Sequence, residues 1–153
     1  MAARPAVNVA VNAPVKPSLT LKRRLNASPE KVFAAWTKPE TLAIWFGPGH
    51  CTSVDARIDL RVGGRYHITM VVPGDQHDVM GVYREIVPNE KLVFTWHWKT
   101  TPERESQVTI TLKPDGDGTI LTLLHELFFD EPARDRHQQG WLGALDKLEK
   151  MFA

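Results

Sequence analysis

The sequence predicts an α+β fold: a curved antiparallel sheet of about seven strands around a long C-terminal helix, with two short helices after the first strand. Three observations carry this. Period-two alternation recurs in segment after segment between Val54 and Leu127. Short turns rich in Pro, Gly, Asp and Asn join those segments, as a meander requires. An apolar stripe at helical spacing then fills the C-terminal segment, the only element long enough to cover a sheet face.

Residues 1 to 17, "MAARPAVNVAVNAPVKP", are expected to form an extended arm, loose or laid against another surface, ahead of a single domain over 18–153. "LTLKRRLN" reads as the first strand. In "ASPEKVFAAWTKP", Ser28 is the expected N-cap and Pro29 the first helical residue, with Val32, Phe33 and Trp36 on one face. Pro39 ends this helix and starts a second, "PETLAIWF", which stops at Gly47-Pro48-Gly49. "VDARIDLRV" sets Val54, Ala56, Ile58, Leu60 and Val62 against Asp55, Arg57, Asp59 and Arg61, a half-buried strand. Gly63-Gly64 breaks it before "RYHITMVV". "DVMGVYREIV" alternates badly, which suggests a bulge near Gly81. "KLVFTWHW", "QVTITL" and "TILTLLHEL" complete the sheet. In the closing helix Trp141, Leu145, Leu148 and Phe152 form the stripe, while Lys147, Glu149 and Lys150 point away. Gly140 is expected to let that helix approach the sheet.

With 153 residues, the chain suits one domain with a real core. A net charge of +1 offers no sustained attraction to phosphate backbones or anionic lipid, so nucleic acid and membrane are not expected partners. No apolar run would cross a bilayer, and the N-terminus lacks a secretory layout. The lone Cys51 fits a reducing cytoplasm. The histidines at 50, 67, 77, 97, 125 and 137 are dispersed, so no metal site is expected, and no glycine loop would cradle phosphate; no cofactor is implied.

The fragments "SPEKVFAAWTKPETLAIWFGP", "DLRVGGRYHITM", "GVYREIVPNEKLVFTW", "TLLHELF" and "GWLGALDKLEKMF" resemble, in register, bacterial homologues of the activator of heat-shock-protein ATPase, in the START-like, SRPBCC superfamily. The resemblance runs from about Leu19 to Phe152. It implies the helix-grip fold, often with a hydrophobic cavity between sheet and helix. It also implies several functions, since the family includes a chaperone activator, proteins that protect against toxic natural products, and members of no settled role. The chain resembles only the C-terminal type of domain of the eukaryotic namesake, which ranks a chaperone role behind ligand binding.

The candidate ligand-binding residues are Trp45, Phe46, Tyr66, Met70, Phe94, Trp96, Trp98, His125, Trp141 and Leu145. Phe94, Trp96 and Trp98 share the inner face of one strand with Leu92, and must meet Trp141 and Leu145. Apolar walls with a few indole and phenol handles suit a pocket and equally suit a filled core. Trp36 is assigned to the core, with Trp45 and Phe46 as lid candidates before a Gly-Pro-Gly hinge. His125 is either a core histidine, satisfied by a backbone carbonyl or the Tyr66 phenol, or a handle for a ligand oxygen. Glu85 is either a surface residue paired with Arg84 or Arg65 or, if buried, a general base; catalysis by His125 or Glu85 with Tyr66 is the enzyme alternative, and no catalytic residue is assigned. "KRR" at 22–24 and "RDRH" at 134–137 are expected to be solvated. The expected partner is a small hydrophobic molecule, with a chaperone or a second copy as alternatives.

Overall fold

A computed structural model describes residues 15–153, so most of the expected arm over 1–17 lies outside the described residues. Strand β1 (Leu19–Leu25) is followed by helices α1 (Pro29–Thr37) and α2 (Pro39–Trp45). Strands β2 (Ser53–Ile58), β3 (Arg65–Val72), β4 (Asp75–Val87), β5 (Lys91–Trp98), β6 (Ser106–Asp115) and β7 (Gly118–Glu126) come next, and helix α3 (Glu131–Met151) closes the chain. All neighbours pair antiparallel in the order β1-β7-β6-β5-β4-β3-β2, which leaves β1 and β2 as edges. This is the helix-grip layout the sequence predicts. Its core sits between the sheet's inner face and the three helices, built on Leu25, Trp36, Trp45, Ile110, Leu123, Trp141, Leu145 and Leu148.

Local chemistry places the helix starts. Ser28 caps α1 by accepting from Lys31 N, and Pro29 supplies a helical φ where no N–H partner exists. Asp130 caps α3 by accepting from Ala133 N at 2.9 Å. Four sequence expectations are corrected. The strand from Val54 ends at Ile58, because the chain turns from Asp59: Gly64 N donates to Arg61 O, and a Cβ on Gly64 would sit 2.1 Å from Asp59 O. Leu60 and Val62 therefore lie exposed. The β4 bulge falls between Tyr83 and Glu85 rather than at Gly81. Gly81 is needed for a different reason: a Cβ there would come within 2.0 Å of Thr95 O and 2.8 Å of the Tyr66 ring, so this glycine lets that ring cross the strand. On α3 the close-approach glycine is Gly143, whose Cβ would stand 2.9 Å from Gly49 N; a Cβ on Gly140 would meet nothing within 4 Å. Lys147 does not point away: its half-buried ammonium donates to Phe46 O at 3.2 Å and Pro48 O at 3.1 Å.

Candidate functional site

The inner face of β5 meets α3 across a seam of aromatic rings joined by hydrogen bonds. Trp141 donates its indole N–H to His125 Nδ1 at 3.0 Å. An indole nitrogen only donates, so that His nitrogen carries no proton and Nε2 does. Nε2–H then donates to Ser106 Oγ at 2.8 Å, and Ser106 passes its own proton to Trp96 O at 3.1 Å. Every polar atom of this fully buried chain is used. His125 is thus a core histidine, satisfied by Ser106 and Trp141 instead of a backbone carbonyl or Tyr66. Burial, reinforced by neighbouring His137, holds its pKa well below the usual histidine value.

His137 repeats the device one turn earlier on α3. Its Nδ1–H donates to Ala133 O at 2.7 Å, and Nε2 accepts from both Trp98 at 2.9 Å and Trp96 at 3.2 Å. Burial lowers its pKa as well; Arg136 adds to the fall and the Ala133 bond opposes it. The solvated reading of "RDRH" therefore fails for His137. Helical spacing back from Trp141 passes through His137 to Ala133, a signal the stripe already held. The rings of His125 and His137 lie 5.2 Å apart, and Phe128 stacks against both.

Beside this seam, toward β3 and β4, lies a void of about 20 Å³ lined by Trp36, Leu42, Phe46, Tyr66, Ile68, Tyr83, Leu92, Phe94 and Trp96. That is room for about one water molecule. Of the sequence candidates, Phe46, Tyr66, Phe94 and Trp96 line it. Trp141 and Trp98 belong to the histidine seam, Leu145 is fully buried core, and Met70 packs toward Gly47. Trp45 is a core residue, not a rim one: it is fully buried and donates to Ala35 O at 2.9 Å. Trp36, Leu42, Ile68, Tyr83 and Leu92 complete the lining, and none was singled out as a ligand contact from the sequence.

The void's polar groups are few. Tyr66 OH donates to Thr95 O at 2.6 Å, and burial pushes its phenol well above the usual range. The Tyr83 phenol is likewise pushed up by burial and enters none of the hydrogen bonds among the described residues. Trp36 is 4% exposed, and its indole N–H has no partner, a state it shares among the described residues with His97 Nδ1. Glu85 stands on the surface, 3.2 Å from Lys91 instead of Arg84 or Arg65. Glu85 thus lies outside the buried seam, and no hydrogen bond among the described residues joins His125, Glu85 and Tyr66 to one another. Among the described residues no group of three or more His, Cys, Asp and Glu side chains could hold a metal ion, and no helix is long and apolar enough to cross a membrane.

The corner that closes the void is a specific construction. Phe46 caps the end of α2, and Gly47 follows with φ of +87°, a conformation L side chains rarely adopt. The Lys147 ammonium binds the carbonyls on either side of Gly47, and Gly143 packs on Gly49. Positive charge at a helix C-terminus is favourable, and here it also ties α2 to α3.

Comparison with known proteins agrees with this architecture. The model of the Activator of Hsp90 ATPase homolog 1-like proteins matches residues 26–153. The curated activator of 90 kDa heat shock protein ATPase homolog 1 from Homo sapiens is 28% identical over 124 residues, 80% of this chain and 33% of that protein. The chain thus spans about a third of the length of the curated relatives it matches. A crystal structure of a Chromobacterium violaceum protein superposes with a TM-score of 0.77 at 28% identity, covering 88% of this chain and 96% of that one. The AHSA1 protein of Silicibacter pomeroyi gives 0.75 at 28% identity, with the same coverage of 88% and 96%.

Proposed function

The chain belongs to the Activator of Hsp90 ATPase homolog 1-like family, of the START-like type, and from that premise we propose that it is a cytoplasmic binding protein for a small hydrophobic or aromatic molecule. The ligand enters between the sheet and the short helices α1 and α2 instead of against the C-terminal helix, because every lining residue of the void lies on strands or on the Trp36–Phe46 stretch. The observation that carries this is the buried, unpartnered Trp36 N–H beside a void walled by apolar and phenolic groups.

The closed form holds about one water, so binding requires the Phe46–Gly49 corner to move. Gly47 supplies the hinge, and the Lys147 bonds to Phe46 and Pro48 are what must open. The test is a screen of aromatic and polyketide-like compounds by thermal shift and tryptophan fluorescence. A ligand at a hundred times its Kd stabilises the folded state by about 2.7 kcal/mol, well within detection. If no compound moves either signal, the reading fails.

A second reading rests on the curated relatives: the domain acts on a chaperone of the 90-kDa heat-shock class. The exposed Ile44, Leu60 and Val62 side chains are consistent with a protein contact. Adding the purified chain to such a chaperone and measuring ATP turnover separates the two. Stimulation without any small-molecule binding would replace the first reading by the second.

A further inference from the structure

The chemistry of the void selects among hydrophobic molecules. We infer that the site takes a neutral, flat aromatic molecule carrying one uncharged hydrogen-bond acceptor, a ketone or quinone oxygen, which accepts from the Trp36 indole N–H. The inference rests on the ligand-binding reading above and adds the ligand's charge and polarity to it.

Three observations combine. First, none of the nine lining residues carries a formal charge. A carboxylate or ammonium drawn into this space would lose its hydration with no opposite charge to compensate. Second, the available handles are donors. Trp36 Nε1 can only donate and has nothing to donate to, at 4% exposure. Tyr83, another lining residue, has a phenol that burial pushes up and that enters none of the hydrogen bonds among the described residues, so it is a second donor on this wall. The Tyr66 proton is already committed to Thr95 O. A ligand whose oxygen accepts therefore removes an existing unsatisfied donor, while one that only donates leaves Trp36 as it was. Third, the walls are mostly ring faces and edges. Tyr66 meets Tyr83 at 5.7 Å and Phe94 at 5.5 Å, and Phe46 meets Trp96 at 6.1 Å. Such walls favour a planar guest by offset and edge-to-face packing.

The required opening is modest. An apolar cavity of about 150 Å³ accepts benzene, against the 20 Å³ present in the closed form. Withdrawal of the Phe46 ring on the Gly47 hinge is the local motion that supplies the difference, because Phe46 is the lining residue next to a positive-φ glycine.

The experiment compares three probes of one shape by titration calorimetry at pH 7: acetophenone, ethylbenzene and benzoate. Acetophenone is expected to bind about tenfold more tightly than ethylbenzene, the worth of one recovered buried hydrogen bond, and benzoate not measurably. In W36F, checked for native thermal unfolding, the ratio of acetophenone to ethylbenzene affinity should fall to about one, whatever the reshaped wall does to the affinity of both probes. Should W36F fail to fold, Y83F carries the test with a smaller, severalfold loss of the same preference. Equal binding of acetophenone and ethylbenzene by the wild type overturns this inference and leaves the ligand-binding reading standing. Preference for benzoate, or a preference for acetophenone that survives both substitutions, overturns it as well. Binding of none of the three overturns both.

Discussion

Acid should unlock the seam between β5, β7 and α3, and the structure sets how steeply. His125 and His137 are both held neutral, each with one nitrogen accepting from tryptophan N–H groups. Protonation would turn those acceptors into donors facing donors and lose three hydrogen bonds. The folded-state pKa of each is below the ordinary histidine value of 6.5. The unfolded chain therefore binds more protons than the folded one below that value. The stabilisation is complete above pH 6.5 and declines as the pH falls toward the depressed folded values. Each excluded proton contributes a slope of about 1.4 kcal/mol per pH unit, so two contribute up to about 2.7. Against a net stability on the order of 5–15 kcal/mol, a slope of that size is readily measured. Asp78 does not confuse the window. Bonds from Thr69, then His67, hold its pKa at about 2, below the ordinary value of 3.8, so its contribution is lost only as the pH falls below that ordinary value. Urea unfolding followed by tryptophan fluorescence at pH 7.5, 6.5 and 5.5 gives the slope directly. H137Q keeps an acceptor for the two indoles and cannot titrate, so its slope should fall to about half. Stability that is flat across this range, or a slope unchanged in H137Q, would refute the proton assignment.

Other substitutions probe packing. W141A removes a nearly buried indole in contact with Trp36, Phe46 and Trp96 and strips His125 of its donor; equilibrium unfolding should show a loss of about 3–5 kcal/mol. The two helical glycines should respond with opposite sign. G140A, with open space around the new methyl, should stabilise by about 1 kcal/mol, whereas G143A, which drives a Cβ against Gly49 N, should destabilise in the same assay. K147M should cost about 1 kcal/mol through the two lost carbonyl bonds and speed ligand entry in stopped-flow fluorescence.

The elements were legible because their signals are local. Ser28-Pro29 starts a helix wherever it lies, and strict alternation in "KLVFTWHW" fixes which residues face inward. The boundaries that failed depend on contacts between distant residues. Leu60 and Val62 keep the alternation of β2, yet the Asp59–Gly64 turn has already left the sheet. The bulge sits at Tyr83–Glu85 because that is where β4 gains one residue over β5, a register visible only with both strands in hand. Gly140 and Gly143 are equivalent in sequence, and only the position of Gly49 distinguishes them. His137 and Lys147 were misplaced because a polar side chain on a helix is assigned to solvent by default. One accepts from two indoles, and the other ties down a helix end. The candidate site was half legible for the same reason. β5 announced Phe94 and Trp96, but Trp36 became a candidate only when its N–H proved to have no partner beside the void.

The most direct test of the central claim is the indole N–H spectrum of the ¹⁵N-tryptophan-labelled protein. Its five tryptophans give five signals, of which Trp45, Trp96, Trp98 and Trp141 have acceptors in the structure and Trp36 does not. On titration with acetophenone the Trp36 signal, assigned by W36F, is expected to move downfield as its proton finds an oxygen, while Trp45 and Trp141 stay in place. A Trp36 signal that does not move at a saturating concentration would contradict the account.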